Sequence, residues 1–519
     1  MADVKREIER KFEADPGAQV PDLTGTADVA AVAALGVTEL DAVYYDTDDL
    51  RLAADSVTLR RRTGGSDAGW HVKFPVAAHV RDEIGAPLSD TLPDSLAALL
   101  RSRVRGADLR PTVRLLSARD VHHLRDADGC LLAELSVDAV VAERLAGPGA
   151  GTTAAWTEIE VELADDGDPA LLDAVAGRLA AAGVRPSGSH SKLARALAET
   201  TPAPKGKPRK PGKPGKPERR ERASAPTAGD HVLAYVREQV EAIVALDPAV
   251  RRELPDSVHR MRVATRRLRS AFKSFRAVLD RSVTDLLGDE LKWLAGELGV
   301  GRDQEVLEKR LDAAVEDVPD PLLLGPVRAR LRLWSAARRA DSRARVVGTL
   351  DGERYLALLD TLVALLDEPP LLPAAGRSPD KVLAKAARKE FGRLADRVAL
   401  AGDRPPGHER DLALHEARKA AKRARYAGEA ARPALGKPAK RFTRRMKEVQ
   451  SLLGDHQDSV VARDALRDLA VGANEAGESS FTWGLLYARE EAGAAARERE
   501  LPGVWSRAAA PGARAALKS

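Results

Sequence analysis

The chain has 519 residues, 31% of them charged, with 83 Lys and Arg against 78 Asp and Glu and a formal net charge of +5. That length calls for two or three cores, and so many nearly balanced charges make basicity a local property that suits an anionic partner. The single cysteine, Cys130, excludes a disulfide framework and a cysteine-based zinc cluster, and the lack of an N-terminal apolar segment or a long apolar run predicts a soluble, cytoplasmic protein.

The first predicted element is the stretch VKREIERKF, in which Glu7, Glu9 and Lys11 alternate with Ile8 and Arg10. In a strand these three charges share one face. Similar short segments follow: DAVYYDT, SVTLRRRT, WHVKFPV, CLLAELSVDAVVAERL and WTEIEVEL. The turn residues TGGSDAG between two of them predict a hairpin. Helices are expected at about 26–35, 93–104 and 169–183, which makes residues 1–200 an α+β domain with an antiparallel sheet.

The strands carry charge on one face and apolar residues on the other. Arg60 and Arg62 share a face, as do Glu158, Glu160 and Glu162, with Ile159, Val161 and Leu163 opposite. Lys73, Arg114 and Asp138 lie on further strands. Apolar faces packed on outer helices would leave the charged faces lining a closed barrel. Arg and Lys on such a wall neutralise phosphate oxygens. Clustered carboxylates hold Mg2+ or Mn2+, hard cations that prefer oxygen.

Residues 201–228 are rich in Pro, Gly, Lys and Arg and predict an extended linker, read either as a solvated spacer or as an arm touching a polyanion. Residues 229–505 read as long amphipathic helices broken at DPA, PDS, PDP, DEPP and GDRPPG, an all-α domain, with a tail at 506–519. The heavy Ala, Arg, Gly and Pro usage points to a GC-rich bacterial genome.

The helical part repeats itself. VHRMRVATRRLRSAFKSF begins at Val258 and LHEARKAAKRARYAGEA at Leu414. His259 aligns with His415, Arg262 with Arg418, Arg266 with Lys422, Arg267 with Arg423, and Arg269 with Arg425. The offsets 0, 3, 7 and 10 fall on one helical stripe. A second echo, ELGVGRDQEVL from Glu297 and LLGDHQDSVVA from Leu452, sets Asp303 and Asp458 at 44 and 43 residues after their histidines. Two duplicated helical bundles are expected. Like charges along one face repel, so the stripe needs either carboxylates on neighbouring helices or a bound polyanion. Lys273 and Arg445 are further groove candidates. Nucleic acid is disfavoured, because the basic helices interleave few aromatics beyond Phe272, Phe275 and Tyr426.

Two family resemblances join these patterns. The E-x-E-x-K strand, the R-x-R strand, Lys73, Arg114, Asp138, the E-I-E strand and the late SKLARAL resemble the CYTH domain of the triphosphate tunnel metalloenzymes, over roughly residues 3–197. The resemblance implies an eight-stranded antiparallel β-barrel tunnel with peripheral helices and divalent-metal chemistry on a triphosphate. It assigns Glu7, Glu9 and Lys11 to catalysis. Lys11, Arg60, Arg62, Lys73, Arg81, Arg114 and Lys192 would grip the triphosphate, and Glu7, Glu9, Asp138, Glu158, Glu160 and Glu162 would hold metal. Members hydrolyse inorganic or thiamine triphosphate, or cyclise ATP. Inorganic triphosphate hydrolysis is preferred here, since no base pocket is visible. A class IV-type adenylate cyclase and a non-catalytic polyphosphate-binding protein are the alternatives.

The V-H-x-x-R-V-x-x-R-R-L-R pattern resembles the CHAD domain over about residues 228–500. This resemblance implies binding of inorganic polyphosphate and, with it, association with polyphosphate granules. His259, Arg262, Arg266, Arg267, Arg269, Lys273, His415, Arg418, Lys422, Arg423, Arg425 and Arg445 are the implied contacts. The second copy departs from the first at Lys419 and Lys422.

Overall fold

The computed structural model describes residues 3–17, 20–202 and 225–510, in two compact units, Met1–Arg219 and Arg220–Ser519. The core of the expected linker, 203–224, and the tail residues 511–519 lie outside the described residues.

The first unit contains β1 (Asp3–Ala14), β2 (Ala31–Asp46), α1 (Arg51–Ala54), β3 (Thr58–Thr63), β4 (Gly69–Ala77), β5 (Val80–Pro87), α2 (Asp94–Val104), β6 (Arg110–Arg125), β7 (Leu131–Arg144), β8 (Thr153–Leu163), α3 (Pro169–Ala181), β9 (Arg185–Pro186) and α4 (Lys192–Thr200). Eight strands pair antiparallel in the order β5-β4-β3-β2-β6-β7-β8-β1, and a β1–β5 pairing closes the ring. One strand does the closing by changing partner: Asp3–Ile8 pair with β5, and Glu9–Ala14 with β8. A closed ring leaves no sheet edge to blunt, and β9 adds only a two-residue flap on β1.

Alternation decides what faces where. Outward residues of β1, β7 and β8, such as Phe12, Leu135, Ile159 and Val161, pack under α3 through Leu172 and Val175. Outward residues of β3, β4 and β5, such as Leu59, Trp70, Val72 and Ile84, pack under α2 through Leu96 and Leu100. The inward face is charged over most of its length. At the end of the ring where β6 and β8 begin, it turns apolar: Tyr44, Leu115, Val140 and Trp156 meet Leu193 and Ala196 of α4. Helix α4 thus plugs that end.

One expected helix is a strand. Residues 31–35 of the 26–35 stretch belong to β2, which pairs with β6 from Ala31↔Arg125 to Asp46↔Arg110. Alanine is the best helix former, but propensity is worth under about 1 kcal/mol per residue, and a long ladder to β6 overrides it. The chain bulges at Gly36, whose φ of +90° suits glycine.

The second unit is all helical: α5 (Ala228–Arg251), α6 (Ser257–Ser274), α7 (Arg281–Glu297), α8 (Gly299–Glu316), α9 (Val327–Asp351), α10 (Glu353–Asp367), α11 (Pro379–Gly402), α12 (His408–Leu435), α13 (Lys437–Glu475) and α14 (Phe481–Ala509). Thr227 opens α5 with a capping box to Asp230. One core gathers α5, α6, α7 and α10 around Ile243, Leu268, Leu291 and Leu359. A second gathers α11, α12 and α13 around Leu394, Ala421 and Met446. The two repeat helices, α6 and α12, pack on each other. Among the described residues, no helix is long and apolar enough to cross a membrane.

Candidate functional site

The ring encloses a cavity of about 630 Å³. Of the expected residues, Glu7, Glu9, Lys11, Arg60, Arg62, Lys73, Arg81, Glu160, Glu162 and Lys192 line it. Asp138 and Glu158 are buried at its floor, under Lys192. Each comes from the inward register of its strand, or from the first residue of α4.

Arg114 is not in the cavity. It stands on the outer face of β6, where its Nε and Nη2 donate to Asp41 at 3.0 and 2.6 Å. The inward face of β6 carries the odd-numbered residues Val113, Leu115 and Arg119, so a residue at 114 points away from the lumen. Arg119 takes the interior place. Its Nε and Nη2 donate to Asp138 at 2.7 and 2.8 Å, and its Nη2 also to Glu160 at 2.8 Å. Burial works against its charge, but Asp138 and Glu160 more than offset that and hold it firmly protonated. Residues passed over in the sequence also line the cavity, among them Lys5, Tyr44, His71, Glu83 and Glu134. Strand parity was the available signal: Glu83 is two residues from Arg81, and Arg119 is four from Leu115.

The carboxylates are tied to ammonium groups. Lys73 Nζ lies 2.7 and 2.6 Å from the two oxygens of Glu7. Lys11 Nζ lies 2.8 Å from Glu9 Oε2 and contacts Glu160. Burial opposes the Lys11 charge, yet Glu160 and Glu9 raise its pKa to about 12. Lys192 Nζ sits 3.0, 2.8 and 2.7 Å from Asp138, Glu158 and Glu160. Trp156 Nε1 donates to the second oxygen of Glu158 at 2.6 Å. Glu7 is different: burial, and Glu83 beside it, push its carboxyl up to about 8 against the pull of Lys73. Arg60 reaches Glu83 at 3.2 Å. Arg81 donates to the His190 carbonyl at 2.8 Å. Burial and the like charges of Arg60 and Arg119 disfavour the charge on Arg62, a repulsion that a bound anion relieves.

Oxygens of Asp138, Glu158 and Glu160 all lie within 4.8 Å of one another, and all three residues are buried. This is an all-oxygen donor set of the kind that suits Mg2+ or Mn2+; the Lys192 ammonium is shared by all three, Arg119 also holds Asp138 and Glu160, and Lys11 also holds Glu160. Eight Lys and Arg and seven Asp and Glu line the cavity. A lumen so near neutrality accepts a polyanion best when a cation enters with it.

In the second unit the repeat acquires a geometric meaning. Arg262 donates to Asp303 at 2.9 and 3.1 Å, and Arg418 pairs with Asp458 at 3.5 Å. The two echoed aspartates are thus the matched partners of the two matched arginines. Glycine makes room for each guanidinium: a Cβ on Gly299 would stand 3.0 Å from Arg262 Nη2, and one on Gly454 3.5 Å from Arg418 Nη2. Arg266 and Lys422, also equivalent, make no salt bridge to a described residue. Burial and the charges of neighbouring guanidiniums, Arg262 and Arg418 among them, act against the charge on each. The Nε atoms of Arg262, Arg266, Arg269 and Arg418 are buried without a hydrogen-bond partner.

The other expected contacts divide. Arg267 and Arg425 clamp Glu429 at 3.0 and 3.2 Å and both stack over Tyr426, so they are engaged in packing α6 on α12. Arg423 reaches Glu390 at 3.4 Å. Arg269 and Lys273 lie near Arg423 as a second basic group. Arg445 leaves its buried Nη1 unpartnered. His415 Nδ1 lies 2.6 Å from Gln457 Oε1, and burial with the charge of Lys419 lowers the pKa of the ring. His259 instead lines a cavity of about 240 Å³ with Gly301 and Glu305.

Residues 5–196 match the family model of the CYTH domain, and residues 234–467 that of the CHAD domain. Over 509 residues the chain is 39% identical to Uncharacterized protein Rv2226 of Mycobacterium tuberculosis, covering 95% of this chain and 94% of that protein. Among solved structures, PptA from Streptomyces chartreusis is 23% identical with a TM-score of 0.47, over 54% of this chain and 100% of its own. The CHAD domain from the plant Ricinus communis is 27% identical with a TM-score of 0.44, over 55% of this chain and 92% of its own.

Proposed function

The chain belongs to the family of proteins that join a CYTH domain to a CHAD domain, and on that premise we propose that its ring domain hydrolyses a triphosphate with a divalent cation, preferring inorganic triphosphate, while its helical domain binds inorganic polyphosphate. One observation carries the first half: basic and acidic side chains from the strands and α4 converge on a single cavity that is plugged at one end.

In this reading Arg60, Arg62, Lys73, Arg81 and Arg119 hold the phosphate chain from the sides, with Lys11 and Lys192 at the floor. Their ammonium and guanidinium groups are released from internal carboxylates as phosphate oxygens replace them. Glu9, Asp138, Glu158 and Glu160 hold the cation, with Glu7 once its proton is lost. When bound, Mg2+ or Mn2+ supplies charge neutralisation and lowers the pKa of an attacking water. The chain's own share is positioning, since phosphoryl transfer needs no covalent nucleophile. Cys130 is exposed and does not line the cavity.

The test is phosphate release from inorganic triphosphate with Mg2+, with Mn2+ and with EDTA, with ATP and thiamine triphosphate alongside. Metal-dependent release supports the reading. Cyclic AMP from ATP would favour a cyclase, and no turnover would leave a polyphosphate-binding protein.

A further inference from the structure

The repeat that builds the α6–α12 site is nearly symmetric in charge. Arg262 and Arg418 match, and each has one aspartate, Asp303 or Asp458. The central pair is Arg266 and Lys422, neither of which has a carboxylate of its own among the described residues. An arginine cannot shed its proton in a protein, whereas a lysine crowded by cations in a buried place can. The repeat therefore places one titratable cation where its twin is permanent.

The surroundings of Lys422 are unequal. Arg418 on its own helix and Arg266 and Arg262 on α6 oppose its charge; Asp458 on α13 supports it, while Asp303 on α8 is committed to Arg262. Burial acts first and in the same sense as the arginines. Together they push the Lys422 ammonium down to about 7.

We propose that Lys422 takes up a proton when a phosphate chain binds between α6 and α12, so that the affinity of the helical domain for the chain rises as pH falls. The inference rests on the polyphosphate-binding reading above. A phosphate chain brings negative charge against Arg262, Arg266, Arg418 and Lys422 at once and reverses the balance that disfavours the ammonium. Linkage gives the sign. The bound state holds more protons than the free state above pH 7, so affinity declines with rising pH there and levels off below it. The slope is at most about tenfold per pH unit for one proton.

The experiment is calorimetric titration of inorganic polyphosphate of defined length into the full chain at pH 8.5, in two buffers of different ionisation enthalpy. Wild type is compared with Lys422→Arg, which makes the second copy equal to the first and keeps the charge. Proton exchange by the polyphosphate ends or by the ring domain is common to both proteins and cancels. The expected result is about one more proton taken up by wild type, and a wild-type affinity that falls by up to about 100-fold relative to the variant between pH 7 and 9. Lys422→Gln, neutral throughout, should bind more weakly than wild type at pH 6, with the difference narrowing toward pH 9. Tight binding with equal proton uptake in wild type and Lys422→Arg would overturn the inference and leave the polyphosphate reading standing. No binding by wild type anywhere from pH 6 to 9 would overturn both.

Discussion

Arg119 stands directly opposite Asp138 across the β6–β7 pair and grips both of its carboxylate oxygens, at 2.7 and 2.8 Å. Asp138 is fully buried. Losing Arg119 therefore leaves a charge that Lys192 alone must balance. Arg119→Ala should destabilise the ring by about 3 kcal/mol and reduce triphosphate turnover, read by chemical denaturation and phosphate release. Arg114→Ala, on the outer face, should leave stability nearly unchanged and turnover within about twofold. The opposite ranking would mean that the cavity is built from the other face of β6.

Glu9 and Glu160 share Lys11 at the floor. Glu9→Ala should lower hydrolysis by roughly 10³-fold while circular dichroism stays native. EDTA should reproduce that loss in wild type, and added Mn2+ should restore wild type but not the variant. Full activity in Glu9→Ala would remove the carboxylate from the catalytic assignment.

Arg262→Ala combined with Arg418→Ala should weaken polyphosphate binding by roughly 100-fold and leave triphosphate turnover unchanged. Arg267→Ala should act otherwise. Its partner is Glu429 and its platform Tyr426, so the expected loss is in thermal stability more than in binding. Equal binding losses from both sets would place the groove over the whole stripe.

Lys422 carries a stability prediction of its own without ligand. Its folded pKa, about 7, lies below the ordinary lysine value of 10.5. The unfolded chain therefore binds more protons between those values, and stability should rise as pH rises through that window. Lys422→Met removes the half-buried cation and should raise the thermal midpoint at pH 7 by about 3 °C, with little gain left at pH 10. A midpoint that falls in the variant at pH 7 would show that the ammonium stabilises the empty unit.

Much of this was legible in the sequence because strand alternation is a period of two. Glu7, Glu9 and Lys11 had to share a face, and so did Glu158, Glu160 and Glu162. What escaped were places where a second signal was needed. In RPTVRLLSARD Arg114 and Arg119 both look suitable, and only the apolar run Val113, Leu115 reveals which parity faces inward. Glu83 was hidden because its face is shared with Arg81 in a strand of mixed charge. The Ala-rich start of β2 carried helical propensity, and its pairing with β6 depends on residues some 90 positions away. In the helices, the spacing predicted the stripe and the matched aspartates. It could not say that Glu429 would occupy Arg267 and Arg425, because that carboxylate lies outside the repeat's matched positions.

The closure of the ring limits how such a chain can change length. Every lining strand presents alternate residues to the cavity and the rest to the outer core, and no free edge is left to absorb a slip. A single inserted residue at the start of β8 would exchange Glu158, Glu160 and Glu162 with Ile159, Val161 and Leu163, withdrawing this strand's acid from the lumen and its apolar contacts from the coat in one step. Variation in length is therefore confined to the hairpins, to steps of two, or to places where a bulge takes up the extra residue, as at Gly36 in β2.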